Sequence, residues 1–392
     1  MLLVFDSHPV QYRVPIWQNI AHVNENRFHV VYGSICSVRG YKDKGFGKVF
    51  SWDEPLLKGY EYTVLNSERG EDPLSGWRSL SGKGVGEIIK RYKPKAILLT
   101  GFNYQYDLAA FWYAISNRIP VWLRCETQDY AFSRPRIKFL FRWVIYFLLY
   151  KGISKFFFIG ELNRRHYLVH GVPESKLVSA KYCTVDRFSA FSSLRKNALR
   201  DTQRKVAGIK KDNYVIGFSG KFILKKDPEI LFSMLEFLPA NLLTRIHLYF
   251  LGSGPLEERL KELATSANYK YGVKTYFAGF VNQSELAPNY LAMDVLVLPS
   301  RRMGETWGLV ANEAMQAGCS VVVSDAVGCS ADFKSWPQFR VFPEGSAEKL
   351  ADCLIELSEF ERNFEWANAA LINYSIDAVS NAFRVEMQKL GS

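Results

Sequence analysis

Two glutamates with seven residues between them, Glu305 and Glu313, stand in the segment richest in groups that could do chemistry. The segment joins an apolar run, residues 295–299, to a helix-forming run, residues 309–317, that Gly318 stops. A helix N-terminus offers unpaired backbone N–H groups and a positive dipole end, which favour a diphosphate. A diphosphate repels carboxylates, so we expect Glu305 to face a sugar and Glu313 to reach a ribose hydroxyl. The alternative is a surface glutamate and a first-turn glutamate that only complements the helix dipole.

The loop between these two runs and the start of the helix would form a phosphate cradle. We expect four of its residues to border a bound nucleotide: Thr306, Trp307, Gly308 and Leu309. A second glycine turn, Gly252 and Gly254, follows another apolar run and would let the backbone approach the same ligand. It is not a complete G-x-G-x-x-G because residue 257 is glutamate, which disfavours a dinucleotide-dependent dehydrogenase.

Positive charge is expected opposite the cradle, in residues 220–228. Lys221 and Lys226 follow an apolar run, so they would lie at the carboxyl end of a strand, where ammonium groups suit phosphate oxygens. We assign these two lysines, with Glu305, to catalysis and leave Lys225 as a solvated residue. The alternative is that the three lysines belong to an ordinary solvent-exposed surface.

Short apolar runs alternate with helix-length segments, which is typical of α/β proteins with parallel sheets. The first series predicts strands at residues 2–5, 28–32, 96–100, 120–123 and 156–159. The second series predicts strands at residues 214–218, 246–251, 274–277, 295–299 and 320–324. Helices are predicted between them, including residues 227–237 and 255–267. Two such sheets would face each other across a cleft at the carboxyl ends of their strands.

Composition and charge exclude several classes of protein. With 392 residues, 48% of them hydrophobic, the chain can bury more than one core, which excludes a small disulfide scaffold and wholesale disorder. Fifty Lys and Arg against 39 Asp and Glu give a net charge of +11, which favours phosphate-bearing or anionic partners. The six cysteines have no zinc spacing, so we expect a reduced, cytoplasmic protein. The N-terminus is expected to form a strand rather than a signal peptide, and no apolar run has the length of a membrane span.

The motifs of the second half together resemble the group-1 family, family four, of retaining glycosyltransferases with the GT-B fold. The resemblance rests on the two glutamates, with Gly308 between them, and on residues 220–226, 251–255, 279–281 and 298–300. The first half is similar to a bacterial surface-glycan subgroup through residues 7–12, 45–47, 52–53, 59–60, 123–126 and 185–188.

The resemblance implies two Rossmann-like domains. Residues 1–190 would bind the acceptor, and residues 213–370 would bind a nucleotide-sugar donor. A basic linker at residues 191–212 would join them, and a C-terminal helix at residues 371–392 would cross back to the first domain.

The family's site residues carry over by motif. Lys221 and Lys226 would neutralise the departing diphosphate, and transfer would keep the anomeric configuration. Glu313 would hold the ribose and Glu305 would touch the donor sugar. Lys221 stands where the family often has arginine, which keeps the charge and loses the bidentate fork.

The acceptor side departs from the family. Many members carry a histidine after a strand of the first domain, whereas this chain offers Arg124 and Glu126 there, so no catalytic histidine is assigned. His8 is the third acceptor-side candidate, either as a substrate contact or as a residue that shapes the turn after the first strand. No Asp-x-Asp occurs in the chain, so we predict transfer without a metal or another cofactor, with lysines and helix amides in place of a divalent ion.

Residues 134–155 carry six basic residues and no acid, together with several aromatic side chains. A helix with this composition could rest on an anionic membrane, which would suit a lipid-linked acceptor. The alternative is a core helix of the first domain with basic ends.

We therefore predict a glycosyltransferase that moves a sugar from a nucleotide-diphosphate donor to a glycan or lipid-linked acceptor. Its place would be bacterial surface polysaccharide synthesis, lipopolysaccharide included, at the inner face of the plasma membrane. The alternatives are a GT-B phosphorylase, a sugar-nucleotide epimerase, or a non-catalytic basic module for nucleic acid or anionic surfaces. Nucleic acid is not an expected partner, since the chain has no strand with interleaved aromatic and basic residues.

Overall fold

The computed structural model describes residues 1–23, 27–39, 41–43, 48–50, 53–66, 74 and 76–390. Two of the motifs used above, residues 45–47 and Trp52, lie outside the described residues. So do residues 391–392 of the predicted C-terminal helix.

The first half of the chain builds a parallel sheet. Its strands are β1 (Leu2–Asp6), β2 (Phe28–Tyr32), β3 (Tyr41–Asp43), β4 (Lys48–Phe50), β5 (Tyr62–Val64), β6 (Ala96–Leu99), β7 (Val121–Leu123), β8 (Lys155–Phe158) and β9 (Leu177–Ser179). Among the described residues, seven of them pair in the order β5-β2-β1-β6-β7-β8-β9, while β3 and β4 pair antiparallel. The central strands are buried along their whole length, as their apolar runs predict.

Helices cover both faces of this first sheet. They are α1 (Val14–Val23), α2 (Cys36–Arg39), α3 (Val85–Tyr92), α4 (Gln105–Ser116), α5 (Arg136–Lys151) and α6 (Glu161–Val169). One hydrophobic core lies between the sheet and α3, α4 and α6, and a second lies between the sheet and α1.

The second half builds another parallel sheet. Its strands are β10 (Tyr214–Ser219), β11 (Ile246–Leu251), β12 (Lys274–Gly279), β13 (Val295–Leu298), β14 (Ser320–Ser324) and β15 (Phe339–Phe342). They pair in the order β12-β11-β10-β13-β14-β15. Its helices, with α7 before β10, are α7 (Ser193–Val206), α8 (Ile230–Ser233), α9 (Ala240–Leu243), α10 (Glu257–Tyr271), α11 (Leu286–Ala292), α12 (Leu309–Gln316), α13 (Ser330–Phe333), α14 (Ala347–Leu357) and α15 (Asn368–Leu371). A last helix, α16 (Ile376–Lys389), follows.

Two Rossmann-like domains with parallel sheets form the GT-B fold that the sequence predicts. Each of the ten predicted strands is present, with ends that differ by at most two residues. The prediction missed β3, β4, β5, β9 and β15. The last three are edge strands with partly exposed side chains, so they lack the continuous apolar run of a central strand.

The predicted helix over residues 227–237 is wrong as a continuous element. The segment contains only the short helix α8, followed by a 3₁₀ turn at Met234–Phe237, and another 3₁₀ turn, Leu224–Lys226, precedes it. Asp227 lies between the 3₁₀ turn Leu224–Lys226 and α8, and its φ is +49°. It precedes Pro228, and a proline disfavours helical backbone at the residue before it. The structure thereby keeps Lys225 and Lys226 in a turn at the mouth of the sheet.

The basic segment that we placed between the domains contains helix α7, which packs on α11. Arg200 and Arg204 of α7 both pair with Asp294, at 2.5 and 2.6 Å. Two of the basic residues of this segment therefore hold α7 against the second domain through ion pairs. The domain boundaries themselves stay predictions.

Helix α16 returns to the first sheet and packs beside α1. Phe383 stacks on Phe157 with 4.3 Å between ring centroids and meets Trp17 edge-on. Asn19 of α1 donates a 2.9 Å hydrogen bond to Asp377 at the start of α16. The last helix of the chain is therefore part of the first domain's layer.

Among the described residues, no helix combines the length and the apolar character that a membrane span requires.

Candidate functional site

Two glycine turns meet at the carboxyl ends of β10 and β11. Gly252 has φ of +140°, and a Cβ at this position would lie 1.9 Å from the carbonyl oxygen of Gly220. Only glycine fits there, because both the conformation and the contact exclude a side chain. At these two glycines, only backbone atoms border the adjacent space. Gly254, the other predicted glycine, does not border this space.

The loop from β13 to α12 is shaped by two further glycines. Gly308 is the N-cap of α12 with φ of +98°, and a Cβ there would lie 2.6 Å from Leu298 Cδ2. Gly304 has φ of +101°, and its Cα hydrogens face the ring of Phe132 in the first domain. The N–H of Gly304 also donates to the carbonyl of Ala131 at 2.7 Å. The loop that carries Glu305 is thus fixed at both ends and rests on the first domain.

Glu305 is buried in a cluster of lysines. Its Oε2 lies 2.6 Å from the Nζ of Lys226 and 3.8 Å from the Nζ of Lys225, and Ser300 donates a 3.2 Å hydrogen bond to the same atom. Burial opposes the charged form, but the two ammonium groups outweigh it and lower the pKa of Glu305 below its ordinary value. The carboxylate is therefore ionised at neutral pH.

Lys225 belongs to this cluster, although the sequence left it as a solvated residue. Its Nζ donates to the carbonyl of Gly304 at 2.8 Å. Burial lowers the pKa of Lys225; the Glu305 carboxylate opposes this, and the ammonium groups of Lys226 and Lys221 add to it. Two ammonium groups beside one carboxylate, with the charge of Lys221 near enough to act on Lys225, leave an excess of positive charge, which suits an anion with several oxygens.

Glu313 lies one turn inside α12 and accepts a 2.6 Å hydrogen bond from the hydroxyl of Tyr290, which also lies 3.0 Å from Ser219 Oγ. Burial raises the pKa of Glu313, against the opposing effects of the Tyr290 hydrogen bond and the Arg187 charge. A half-buried carboxylate whose donor in the described part of the chain is the Tyr290 hydroxyl has lone pairs to spare for the hydroxyls of a ligand.

A hollow of about 190 Å³ separates the two domains here, and we call it the interdomain cleft. Its walls come from both halves of the chain and include Gln11, Tyr12, Thr184, Arg187, Ser219, Gly220, Gly252, Tyr290, Leu309 and Glu313. Leu309 and Gly252, two of the predicted nucleotide-binding residues, both border this cleft. Ser219, Tyr290 and Arg187 were not predicted as site residues, because their roles depend on chain segments that only the fold brings together.

Trp307 does not border the cleft. It is 3% exposed, its indole N–H donates to Asn312 Oδ1 at 2.9 Å, and its ring stacks on Tyr182. Trp307 therefore anchors the loop in the core. Its neighbour Thr306 instead donates a 3.1 Å hydrogen bond to Glu126 of the first domain.

The acceptor-side candidates occupy different surroundings. Glu126 also accepts hydrogen bonds from Tyr12, at 3.5 Å, and from Tyr182. Arg124 is buried, with a 3.3 Å hydrogen bond to the carbonyl of Ala180. His8 contacts Ser7 Oγ at 3.0 Å, and burial, with the nearby Arg13, lowers its pKa to about 3, so the imidazole is neutral.

A second space of about 320 Å³, the polar hollow, opens beside Glu126. Its walls include Arg13, Asn103, Glu126, Gln128, Arg134, Arg142, Tyr146 and Thr306. In the described part of the chain, three of these residues hold a buried N–H group without a hydrogen-bond partner: Arg13, Gln128 and Arg142. Buried donors of this kind are rare and indicate a place where acceptors are missing from the protein itself.

Residues 200–371 match the model of the family "Glycosyl transferases group 1", as the resemblance of the second half to group-1 enzymes predicts. An uncharacterised glycosyltransferase, MJ1607 of Methanocaldococcus jannaschii, is 37% identical over 128 residues, which are 32% of this chain and 30% of that protein. Sulfoquinovosyl transferase SQD2 of Arabidopsis thaliana is 36% identical over 109 residues, which are 28% of this chain and 19% of that protein. The chain thus matches less than a third of the length of these curated relatives.

Two solved structures align with nearly the whole chain. HepE of Anabaena, crystallised with UDP, has a TM-score of 0.70 at 14% identity and covers 99% of both chains. WaaG, a glycosyltransferase involved in lipopolysaccharide biosynthesis, has a TM-score of 0.62 at 14% identity and covers 100% of this chain and 99% of the other. At such identities the likeness establishes the GT-B fold.

Proposed function

We propose that the protein is a retaining glycosyltransferase that moves a sugar from a nucleoside-diphosphate donor to a glycan or lipid-linked acceptor. The observation that carries the proposal is the position of Glu305 and Glu313. One loop and the helix that follows it hold the first against Lys225 and Lys226 and the second at the interdomain cleft. The match of residues 200–371 to the group 1 family supports it.

The donor would lie along the carboxyl edge of the second sheet. Glu313 is suited to the ribose hydroxyls, and the N-terminus of α12 with the Gly220 and Gly252 turns is suited to the diphosphate. Lys221, Lys225 and Lys226 would take the diphosphate oxygens, while Glu305 would accept hydrogen bonds from the sugar hydroxyls. That HepE, which has the same fold, was crystallised with UDP supports a nucleotide as part of the donor.

The transfer breaks the bond between the anomeric carbon and a diphosphate oxygen. The acceptor hydroxyl oxygen forms the new bond to that carbon with the same configuration, and its proton passes to the departing diphosphate. Ammonium groups and helix amides aimed at the leaving oxygens stabilise the charge that develops there, which is the largest contribution expected in such a site. We propose that this transfer needs no metal ion, since the chain has no Asp-x-Asp and offers the lysine cluster.

The acceptor would enter from the first domain, past Glu126 and the polar hollow. Bacterial surface-polysaccharide synthesis at the inner face of the plasma membrane remains our proposed setting, and the role of WaaG in lipopolysaccharide biosynthesis supports it. Contact with an anionic membrane through α5 is part of this proposal. It is supported by the apolar side chains that α5 exposes between basic ones.

A screen of UDP-, GDP- and ADP-sugars tests the proposal. A donor that binds only the folded protein raises the temperature of unfolding, and incubation with an acceptor should release free nucleoside diphosphate. Release without any acceptor would favour an epimerase-like or hydrolytic reaction, and a demand for inorganic phosphate would favour a phosphorylase. If no nucleotide sugar stabilises the protein and nucleic acid binds in a salt-sensitive manner, the non-catalytic basic module replaces our proposal.

A further inference from the structure

Helix α5 exposes a continuous apolar stripe. Six of its large apolar side chains are 42–71% exposed, and they recur at helical spacing: Ile137, Leu140, Phe141, Val144, Ile145 and Leu148. Single exposed apolar residues are common, but a stripe along about three turns of one helix indicates a surface that contacts another apolar phase.

The opposite side of α5 is firmly attached to the first domain. The indole N–H of Trp143 donates to the carbonyl of Val169 at 2.9 Å, and Phe147 stacks on Trp143. Tyr150 is buried and its hydroxyl lies 2.9 Å from His166 Nε2. One side of α5 is therefore packed against the first domain, and the apolar stripe lies on the side that stays exposed.

An apolar groove runs beside the stripe. It encloses about 710 Å³, within the range typical of small-molecule sites. Its walls include Trp77, Phe102, Leu108, Phe132, Phe141 and Ile145. The groove therefore offers an apolar chain a route from the exposed side of α5 into the protein.

Two arginines, Arg134 and Arg142, border both this groove and the polar hollow. Neither forms an ion pair with a carboxylate in the described part of the chain. Arg134 lies over the ring of Phe132 at 4.6 Å, and Arg142 over the ring of Tyr146 at 4.5 Å. Burial and the like charge of Arg142 lower the pKa of Arg134 against the opposing charge of Asp129, so an anion between the two arginines would relieve their remaining repulsion.

The groove is continuous with the site of transfer. Phe132, one of its walls, forms a β-bridge with Met303 and contacts Gly304, the residue before Glu305. The polar hollow, which the two arginines share with the groove, extends to Glu126 and Thr306. An apolar route, a pair of cations and a polar space thus follow one another up to the loop that carries Glu305.

We propose that the acceptor is a lipid phosphate: its apolar chain lies in the groove, its phosphate or diphosphate lies between Arg134 and Arg142, and its sugar-accepting end lies in the polar hollow. This inference rests on the proposed function, because it identifies the acceptor of that same reaction. The apolar groove, the two arginines and the polar hollow follow one another in this order. They therefore fit a long apolar chain with an anionic group near the end that receives the sugar.

The first test uses the full chain and a simple lipid phosphate. Neutral phosphatidylcholine vesicles that contain hexadecyl phosphate should bind the protein at least about tenfold more tightly than vesicles with hexadecanol. Inorganic phosphate alone should bind far more weakly than hexadecyl phosphate. Equal binding to hexadecanol vesicles, or equally tight binding of inorganic phosphate, would overturn the inference. Equal affinity for phosphatidylcholine vesicles with hexadecyl phosphate and for those with the same fraction of phosphatidylglycerol would overturn it too, since that result indicates a general contact with anionic membrane.

Variants locate the binding. Arg134→Ala and Arg142→Ala together should weaken binding of hexadecyl phosphate by about tenfold or more, and Phe141→Ser with Ile145→Ser should do the same through loss of apolar contact. The matched control for charge is Lys90→Ala with Lys205→Ala, which are exposed and outside the groove. Unchanged binding in both groove variants would refute the assignment, even if wild-type protein prefers the lipid phosphate.

A donor readout separates this inference from the proposed function. Stabilisation by a nucleotide sugar without binding of hexadecyl phosphate would overturn the acceptor assignment and leave the glycosyltransferase proposal in place. Binding of hexadecyl phosphate that depends on Arg134 and Arg142, without a response to any nucleotide sugar, would support the lipid-phosphate site and overturn the proposed function.

Discussion

The hydroxyl of Thr306 donates a 3.1 Å hydrogen bond to the carboxylate of Glu126, and the two residues come from opposite domains. The contact lies next to Glu305 in sequence, so it fixes the loop of the second domain against the sheet of the first. Because Glu126 also borders the polar hollow, the same carboxylate connects the proposed donor side of the site to its proposed acceptor side.

Glu305→Gln should lower turnover by roughly 10²–10³-fold, the range seen when one group that stabilises a transition state is removed. The substitution keeps the shape of the side chain and removes the charge that holds Lys226. Steady-state kinetics with the donor found by the nucleotide-sugar screen measures the effect. Glu359→Gln, at an exposed position, is the control, and unchanged turnover in Glu305→Gln would remove Glu305 from the site.

The Glu305–Lys226 pair should also affect stability at acid pH. The pKa of Glu305 is lower in the folded protein than in the unfolded chain, so the unfolded chain binds more protons as the pH falls. The stabilisation is thus present above the ordinary pKa of about 4.3 and is lost as the pH falls through the folded-state pKa. Urea denaturation of wild type and Glu305→Gln should show a difference that shrinks towards acid pH. A difference that is constant with pH would contradict the prediction.

Glu313→Gln should separate binding from stability. Burial raises the pKa of Glu313, so its ionised form costs folding free energy at neutral pH. This cost shrinks as the pH falls through the folded-state pKa and is gone below the ordinary pKa of about 4.3. We expect the variant to gain stability relative to wild type as the pH rises from acid to neutral. Nucleotide binding should weaken by about 10–100-fold through the loss of charged hydrogen bonds. Calorimetric titration and urea denaturation measure the two effects, and unweakened binding would argue against the ribose contact.

Gly252→Ala should destabilise the second domain by more than about 2 kcal/mol, because the new Cβ would combine an unfavourable φ with a backbone clash. The matched control is Gly272→Ala, since Gly272 also has positive φ, at +70°, but a Cβ there meets nothing within 4 Å. We expect the control to cost about 1 kcal/mol, the conformational penalty alone. The midpoint of urea denaturation reports both values, and equal losses in the two variants would contradict the close contact with Gly220.

Chelation should leave turnover unchanged. We propose that the lysine cluster and the helix amides supply the positive charge that a divalent ion supplies in other sites. Activity assays with and without EDTA, followed by manganese, check this. Loss of activity with the chelator and recovery with manganese would overturn metal-independent transfer.

The sequence predicted the central strands and the α12 loop because both depend on local patterns. Buried parallel strands need continuous apolar runs, and Gly308 followed by a helix former marks the N-terminus of α12. The contacts that complete the site depend on residues far apart in the chain, such as Tyr290 with Glu313 and Thr306 with Glu126. Trp307 shows the limit most clearly, since its loop position suggests a ligand contact while its side chain packs inward.

The sequence alone also could not predict that one side of α5 is exposed. An apolar helix with basic ends has the same composition whether it is enclosed by the core or left open on one side. The outcome depends on how many neighbours the fold supplies, and here they cover only the side of Trp143, Phe147 and Tyr150.

Because α16 returns to the first sheet, the polypeptide passes between the domains twice, once before α7 and once before α16. Two covalent crossings restrict rigid-body motion far more than a single linker does. We expect the halves to swing about the line that joins the crossings, without sliding or twisting apart. Substrate entry and product release would then both depend on the opening angle between the two domains. The distance between two spin labels, one on each domain, can follow that angle.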